Sequence, residues 1–200
     1  MCSSDLGVSL KYKNAGEDSL TGMDFAVKRG ETVGIIGGTG SGKSSRVNMI
    51  PRFYDATAGE VLIGGRDVKS FEIPELRERI GIVPQKAVLF KGSIRDNMRW
   101  GKDDATDDEI LAAAKTAQAA DVIESKGGLD FEIEQGGKNL SGGQRQRFTI
   151  ARALVRKPEI LILDDSASAL DFATDAALRK SIREMDTNPT VFIGIGRAHV

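Results

Sequence analysis

Two short segments of the sequence combine residues that could bind and activate a phosphate group. The first, GGTGSGKS at residues 37–44, fits the pattern G-x-x-x-x-G-K-S/T between an apolar run and a helix-like stretch. Glycines let consecutive backbone N–H groups surround anionic oxygens. A lysine can then reach the outer phosphates of a nucleotide, and a serine hydroxyl can hold Mg²⁺. This pattern predicts a phosphate-binding loop with Lys43 and Ser44 in those roles, and their register disfavours a glycine-rich turn that binds nothing.

The second segment, ILILDD at residues 160–165, drives an apolar strand into two adjacent carboxylates. A carboxylate at the end of a buried strand can hold the hydration shell of Mg²⁺ opposite Ser44, and we assign that role to Asp164. An apolar strand ending in an acid is weak evidence alone, but it becomes strong evidence downstream of a phosphate-binding loop. The next acid, Asp165, would face the attacking water.

The composition limits which classes of protein can carry these segments. The chain has 200 residues, of which 40% are hydrophobic and 28% charged, enough for one domain, or one domain with a subdomain, around a real core. The net charge of −1 gives no global reason to expect a nucleic-acid partner. One cysteine excludes an internal disulfide and fits a reducing compartment. No apolar run reaches the roughly 18 residues of a membrane span.

Short apolar strands alternate with helices along the chain. Strands are expected at residues 8–12, 19–30, 31–38, 80–85, 159–165 and 190–195, and a pair of strands with a turn at Gly64 and Gly65 is expected within residues 59–68. Helices are expected at residues 41–51, 74–79, 106–124, 141–155 and 174–185. The helix at 106–124 opens with a capping box and should bury one face. That face carries Ile110, Leu111, Ala114 and Ala117.

This order predicts an α/β fold: a P-loop NTPase core with a mainly parallel sheet, an N-terminal antiparallel β part and a helical part at about 86–155. A run of arginines on the helix at 141–155 could suggest an RNA-binding face. Because the overall charge is nearly neutral, the preferred interpretation is a solvated helix side. The run consists of Arg145, Arg147, Arg152 and Arg156.

The segment LSGGQRQR at residues 140–147 resembles the signature sequence of ATP-binding cassette (ABC) ATPases. The order of P-loop, Gln85, signature, acid strand and SALD resembles that family along nearly the whole chain. Residues 84–101 and 136–171 look specifically like the nucleotide-binding domain of a bacterial ABC exporter of the multidrug or lipid type. The family usually has an apolar residue where this chain has Arg46, so Arg46 is expected to be exposed or to be a sequence error.

The resemblance implies a role for each matching residue. Tyr12 would stack on adenine, although it could be an ordinary strand aromatic. Gln85 would touch Mg²⁺ and the attacking water and would sense the membrane domain, and Asp171 would lie at a dimer seam. The nucleotide-binding set implied on the P-loop side is Gly37, Gly38, Thr39, Gly40, Ser41, Gly42, Lys43, Ser44 and Ser45. The set that would bind the γ-phosphate of ATP held by a partner's P-loop is Ser141, Gly142, Gly143 and Gln144.

Ser141 is a good helix N-cap, and the two glycines after it let the backbone approach a phosphate closely. A P-loop and a second phosphate-binding helix start on one chain favour a head-to-tail sandwich of two chains. Each ATP would then be clamped between two nucleotide-binding domains.

Asp165 departs from the family pattern, which usually has glutamate there to polarise the attacking water. Aspartate is shorter by one carbon, or about 1.5 Å of reach, and misplacing a base by about 1 Å can cost on the order of a hundredfold in rate. The three residues expected to act in catalysis are Asp165, Gln85 and Lys43, and the expected metal-site residues are Ser44, Gln85 and Asp164. With an intact signature, this combination resembles the degenerate-site half of a heterodimeric exporter.

The two ends of the chain, MCSSDL and IGRAHV, back-translate to DNA strings that are reverse complements over most of their length and resemble a sequencing adapter. We therefore expect a C-terminally truncated domain at residues 7–194, with residues 1–6 and 195–200 as artefacts, although coincidence is the alternative. The exporter's membrane domain would have preceded Gly7. The family's switch residue, usually histidine, falls near Gly196, so His199 is not assigned that role.

The preferred function is the ATP-binding and ATP-hydrolysing domain of an ABC exporter, using ATP and Mg²⁺ at the cytoplasmic face of a cell membrane. Its expected partners are a second nucleotide-binding domain and a transmembrane domain, with no nucleic acid. One alternative is an ATP-binding, dimerising regulatory half-site with little hydrolysis of its own. A further alternative is a soluble ABC protein of DNA repair or translation, which the segment after Gln85 disfavours.

Overall fold

The structure is a computed structural model that describes residues 3–12, 17–38, 41–165 and 169–195. The chain divides into two compact units. The first contains residues 1–80, 159–164 and 189–200, and the second contains residues 81–158 and 165–188. The second unit includes the range 86–155 in which the sequence predicts a helical part.

The first unit carries an antiparallel sheet near the N-terminus. Its strands are β1 (Ser3–Leu10), β2 (Leu20–Ala26), β4 (Ala58–Ile63) and β5 (Arg66–Asp67), in the spatial order β2-β1-β4-β5. The predicted turn at Gly64 and Gly65 joins β4 to β5, and both glycines have positive φ. The first strand ends at Leu10, so Tyr12 lies just beyond it.

A parallel sheet forms the other half of the first unit. It joins β3 (Thr32–Ile36), β10 (Thr190–Ile195) and β9 (Ile160–Asp164) in the order β3-β10-β9. Burial explains why β9 and β10 read as continuous apolar runs, since Leu161, Ile162 and Phe192 are nearly inaccessible to solvent. The helices of this unit are α1 (Lys43–Met49), which packs against β9 and β10, and α2 (Ile73–Glu78). Strand β6 (Ile80–Val83) follows α2.

The second unit is mainly helical. Its helices are α3 (Ile94–Arg99), α4 (Asp107–Thr116), α5 (Ala120–Ser125), α6 (Gly142–Leu154) and α7 (Phe172–Arg183). A short antiparallel pair, β7 (Gly92–Ser93) and β8 (Glu132–Ile133), lies beside them. Helix α6 packs on α3 and α4, and its residues Phe148, Ile150 and Ala151 are fully buried. Helix α3 is not among the helices expected from the sequence, although the S-x-x-D pattern of its capping box at Ser93 and Asp96 indicates a helix start.

The prediction of one helix over residues 106–124 is wrong, because the helix breaks between α4 and α5. Gln118 has a φ of 57°, which no helix accommodates. Its side-chain Nε2 donates to Ser181 Oγ at 3.0 Å, and its carbonyl accepts a hydrogen bond from Arg147. These long-range bonds hold the break. The predicted buried face is also wrong at Leu111, which is 42% exposed, whereas Ala113 is buried.

The interpretation of the arginine run at residues 145–156 as a solvated helix side is wrong. Three of these arginines lie on α6, and Arg156 follows its end. Each one is partly buried and donates to a backbone carbonyl of a loop. Arg145 bonds Leu140 O at 2.7 Å, and Arg152 bonds Val88 O at 2.9 Å. Arg147 bonds Gln118 O, and Arg156 bonds Gly101 O at 2.7 Å. The guanidinium groups thus satisfy loop carbonyls that no regular secondary structure pairs.

Arg46 is neither fully exposed nor fully buried. It lies on α1 and lines a cavity of about 340 Å³ with apolar residues of β2 and β3. Its Nε is buried without a hydrogen-bond partner. Arg46 is therefore not fully exposed, and the alternative of a sequence error stays a prediction.

No helix within the described ranges is both long and apolar enough to cross a membrane. Strand β1 begins at Ser3 and β10 ends at Ile195. The adapter origin of the terminal residues stays a prediction, since backbone placement does not report on the origin of a sequence. Gly196 and His199 lie outside the described residues.

Candidate functional site

The predicted phosphate loop connects β3 to α1, and its glycines are sterically required at two positions. Gly42 is the N-cap of α1 with a φ of 81°, and a Cβ there would lie 2.8 Å from the Leu20 side chain. A Cβ at Gly37 would lie 2.3 Å from Ser41 Oγ. Thr39 and Gly40 of the predicted set lie outside the described residues. At Gly38 a Cβ would meet no atom within 4 Å, so the steric argument is confined to Gly37 and Gly42.

Lys43 holds its ammonium group over this loop. Its Nζ donates to the carbonyls of Gly37 and Gly38, at 2.5 Å and 2.9 Å. The neighbouring Ser44 is exposed, whereas Ser45 is buried. The charge and the exposed hydroxyl therefore face the loop opening, where an anion could replace the backbone carbonyls as the partner of Lys43.

Tyr12, just after β1, contacts the first turn of α1, the helix that follows the phosphate loop. Its hydroxyl lies 2.6 Å from Ser45 Oγ, and its ring packs edge-on against Tyr54 with centroids 4.9 Å apart and planes at 88°. Tyr54 follows α1 in sequence and is 41% exposed. Sequence reasoning did not single out Tyr54, because a spacing of 42 residues from Tyr12 carries no pattern.

Asp164 ends β9 opposite Gly194 of β10 in the parallel register. It is half-buried, and α1, which carries Ser44, packs against β9. One hydroxyl and one carboxylate are hard oxygen ligands, and Mg²⁺ typically takes one or two such groups while keeping several waters. The residues therefore fit Mg²⁺. In the described part of the chain no cluster of three acidic, histidine or cysteine side chains forms, and a magnesium site of this type does not require one.

In the second unit the structure brings Gln85 and Asp165 together. The Nε2 of Gln85 donates to Oδ2 of Asp165 at 3.0 Å, although 80 residues separate them. Asp165 has a φ of 50°, a left-handed conformation that is uncommon outside glycine. The backbone and the hydrogen bond together fix the direction of this carboxylate.

The signature residues form the start of α6. Ser141 is the N-cap, accepting from Gln144 N at 3.2 Å, while Gln144 Oε1 accepts from Ser141 N at 3.0 Å. Ser141 and Gly142 are exposed. A Cβ at Gly143 would lie 3.3 Å from Ala169 O, so this turn packs closely on the segment before α7. The helix start is therefore accessible at Ser141 and Gly142.

Asp171 is the N-cap of α7. Its carboxylate accepts from Thr174 N at 2.9 Å and from the Thr174 hydroxyl at 2.7 Å, and these hydrogen bonds hold the pKa of Asp171 below its usual value. The next residue, Phe172, is 90% exposed. The structure thus gives Asp171 a role in starting a helix, and its place at a dimer seam stays a prediction.

Comparison with known proteins gives the chain a family. A family model described as ABC transporter matches residues 20–168. An uncharacterized ABC transporter ATP-binding protein of Bacillus subtilis, YfiB, is 46% identical over 176 residues, covering 88% of this chain and 31% of that protein. A putative multidrug export ATP-binding/permease protein of Staphylococcus aureus is 40% identical over 187 residues, covering 93% of this chain and 32% of its own length.

A solved structure of a bacterial Atm1-family ABC exporter with ATP bound is also similar. It has a TM-score of 0.89 and 38% sequence identity, and the match covers 96% of this chain and 34% of that chain. The chain spans about a third of the length of these relatives. The predicted α/β fold of an ABC ATPase is confirmed by this similarity.

Proposed function

We propose that this chain, which belongs to the ABC transporter family as an ATP-binding domain, couples ATP binding and hydrolysis to export across a membrane. The observation that carries the proposal is that one chain presents both a phosphate loop closed by Lys43 and a separate helix start capped by Ser141. The similar proteins from Staphylococcus aureus and from the Atm1 family are exporters, which supports the direction of transport.

Each predicted residue then has a task that its geometry supports. Lys43, which bonds two loop carbonyls in the structure, would exchange them for the β- and γ-phosphates. Ser44 and Asp164 would hold Mg²⁺, which would supply charge that shields the phosphates. Tyr12 offers its ring to the adenine. Gln85 orients the carboxylate of Asp165.

The helix start at Ser141 completes the site of a partner domain in this proposal. Exposure of Ser141 and Gly142 supports it, because an anion held by another chain can approach their backbone N–H groups. Two domains arranged head to tail would then enclose two ATP molecules. The partner domain, the transmembrane domain and a position at the cytoplasmic face of the membrane all belong to this proposal.

We further propose that hydrolysis at the site built on this chain's own phosphate loop is slow. Hydrolysis needs a water to attack the γ-phosphorus as its bond to the ADP oxygen breaks, while a base accepts the proton of the water. Asp165 is one carbon shorter than the glutamate usual in the family and is already hydrogen-bonded to Gln85. A carboxylate that is short and engaged positions water poorly, so the parent transporter would be a heterodimer with one strong and one weak site.

The experiment that tests ATP binding is a titration of the folded chain with ATP and Mg²⁺, before and after Lys43→Ala. Loss of the ammonium should weaken binding at least tenfold, because a charge-assisted contact to phosphate is worth about 1.5–3 kcal/mol. Lys11→Ala is a matched control, since Lys11 is an exposed lysine outside the loop. Unchanged affinity in a folded Lys43→Ala variant would refute the site.

A further inference from the structure

The hydroxyl of Tyr12 connects two parts of the nucleotide site that the family pattern treats separately. Its oxygen lies 2.6 Å from Oγ of Ser45, a residue of the first turn of α1 that is only 9% exposed. A stacking role needs only the ring of Tyr12, so the hydroxyl contact requires its own explanation. It joins the side chain proposed to bind the base to the loop proposed to bind the phosphates.

The ring of Tyr12 is held in the orientation that makes this contact. Tyr54 packs edge-on against it, which is a favoured geometry for aromatic pairs. The segment that carries Tyr54 is itself fixed, because Arg77 donates to Pro51 O at 3.0 Å and to Arg52 O at 3.1 Å. Packing against Tyr54 therefore helps to hold the ring whose hydroxyl contacts Ser45.

Hydroxyl chemistry sets the direction of the bond once a nucleotide binds. Each hydroxyl has one proton to donate and can also accept, and either oxygen can be the donor in the contact between Tyr12 and Ser45. Phosphate oxygens only accept at neutral pH, so a phosphate beside Ser45 takes the Ser45 proton. With its one proton hydrogen-bonded to the phosphate, the Ser45 oxygen can only accept a hydrogen bond from the Tyr12 hydroxyl.

We propose that Tyr12 is a positioning residue whose hydroxyl donates to Ser45 and thereby directs the Ser45 proton to a phosphate of the bound nucleotide. This rests on the proposed ATP-binding function and adds a second task to Tyr12 beside base stacking. One side chain then serves the base with its ring and the phosphates through its hydroxyl.

A ligand that has phosphates but no base distinguishes the two proposed roles of Tyr12, stacking on the base and donating to Ser45. Binding of Mg²⁺-ATP and of inorganic triphosphate to the 200-residue chain is measured by calorimetry for the natural chain and Tyr12→Phe. Phenylalanine keeps the ring and removes the hydroxyl, so both ligands should bind about two- to tenfold more weakly, the range expected for one hydrogen bond. Ser125→Ala, which removes a hydroxyl hydrogen bond in the second unit, is the control and should leave both affinities unchanged.

A double-mutant comparison shows whether the effect passes through Ser45. In a Ser45→Ala background, Tyr12→Phe should cause no further loss, whereas Ser45→Thr keeps a hydroxyl and should preserve the effect of Tyr12→Phe. Loss confined to ATP, or loss that persists in the Ser45→Ala background, would overturn the proposal. Equal binding by Tyr12→Phe and the natural chain would also overturn it. Failure of the ATP-binding function itself is distinguishable, because the natural chain would then bind neither ligand.

Discussion

Asp165 determines, in our proposal, how fast the site on this chain's own phosphate loop hydrolyses ATP. Its carboxylate accepts a hydrogen bond from Gln85, and its backbone is left-handed with a φ of 50°. In the slow-site proposal this carboxylate is engaged by Gln85 and reaches less far than a glutamate would.

At this scale, two substitutions in the reconstituted parent transporter should have very different effects on steady-state ATP turnover. Asp165→Asn should lower it less than about twofold, because the base being removed is weak in the proposal. Ser141→Arg should abolish most of it, on the order of a hundredfold, because a bulky side chain blocks the partner's competent site. If both variants lost turnover equally, Asp165 would be a working base and the slow-site proposal would be wrong.

The phosphate loop and the signature could be predicted because each is a contiguous motif whose chemistry is local. The contact between Gln85 and Asp165 could be inferred only through the family, since 80 residues separate the two side chains. Tyr54 could not be found at all from sequence, because its task depends on which ring lies beside it. Sites built from contiguous residues can be predicted from the sequence, whereas contacts between residues distant in sequence cannot.

Helices, too, could be predicted where local sequence defines them and could not be predicted where tertiary contacts do. The helices α6 and α7 were predicted within two or three residues, since periodic apolar residues and N-caps define them. The break between α4 and α5 was missed, because the local sequence is a good helix former and the break is imposed by Ser181 and Arg147 from elsewhere in the unit. Tertiary bonds overrode local preference there.

The close contact between Gly101 and α6 predicts a sensitive position at the level of packed elements. A Cβ at Gly101 would lie 2.1 Å from Arg152 O, and a backbone atom cannot move aside as a side chain can. Gly101→Ala should therefore lower the free energy of unfolding by about 1–3 kcal/mol, measured by urea denaturation. Gly142→Ala is the control and should cost little, because the nearest atom to its Cβ is a flexible guanidinium nitrogen at 3.9 Å. Equal stability of both variants would contradict the packing.

Two hydrogen-bonded carboxylates at helix starts, Asp96 and Asp171, predict that the second unit loses stability in acid. Hydrogen bonds from Ser93 lower the pKa of Asp96, and those from Thr174 lower the pKa of Asp171. A carboxylate with a lowered folded-state pKa contributes stability that is fully present above its unfolded pKa and is lost as pH falls through the folded pKa. Melting temperatures should therefore fall from about pH 4 downwards as the caps are protonated.

The variant Asp171→Asn isolates one of these caps, because asparagine also caps helices but does not titrate. Its melting temperature should depend less steeply on pH below about 4 than that of the natural chain. An identical pH dependence in the two proteins would show that Asp171 does not contribute to the acid transition.

For the whole molecule, the proposal places half of each ATP site on another chain. The isolated chain should therefore be a poor ATPase, because one copy cannot enclose a nucleotide and two copies would contain only the slow sites built on Asp165. The residual specific activity should rise with protein concentration, because two copies must meet to enclose one nucleotide. Turnover measured over about a hundredfold range of concentration checks this, with Ser141→Arg as the control that should stay flat. Vigorous hydrolysis independent of concentration would exclude the two-chain site.

Arg152 of α6 and Arg156, two residues after its end, donate to distant carbonyls, and these contacts also bear on how the protein is made. A ribosome releases Val88 and Gly101 long before their partners, since Arg152 follows Val88 by 64 residues and Arg156 follows Gly101 by 55. Until those arginines emerge, the loops at Val88 and Gly101 lack the donors that secure them. The second unit therefore consolidates late in synthesis, and a ribosome stalled before residue 145 would expose a nascent chain whose loops proteases can reach.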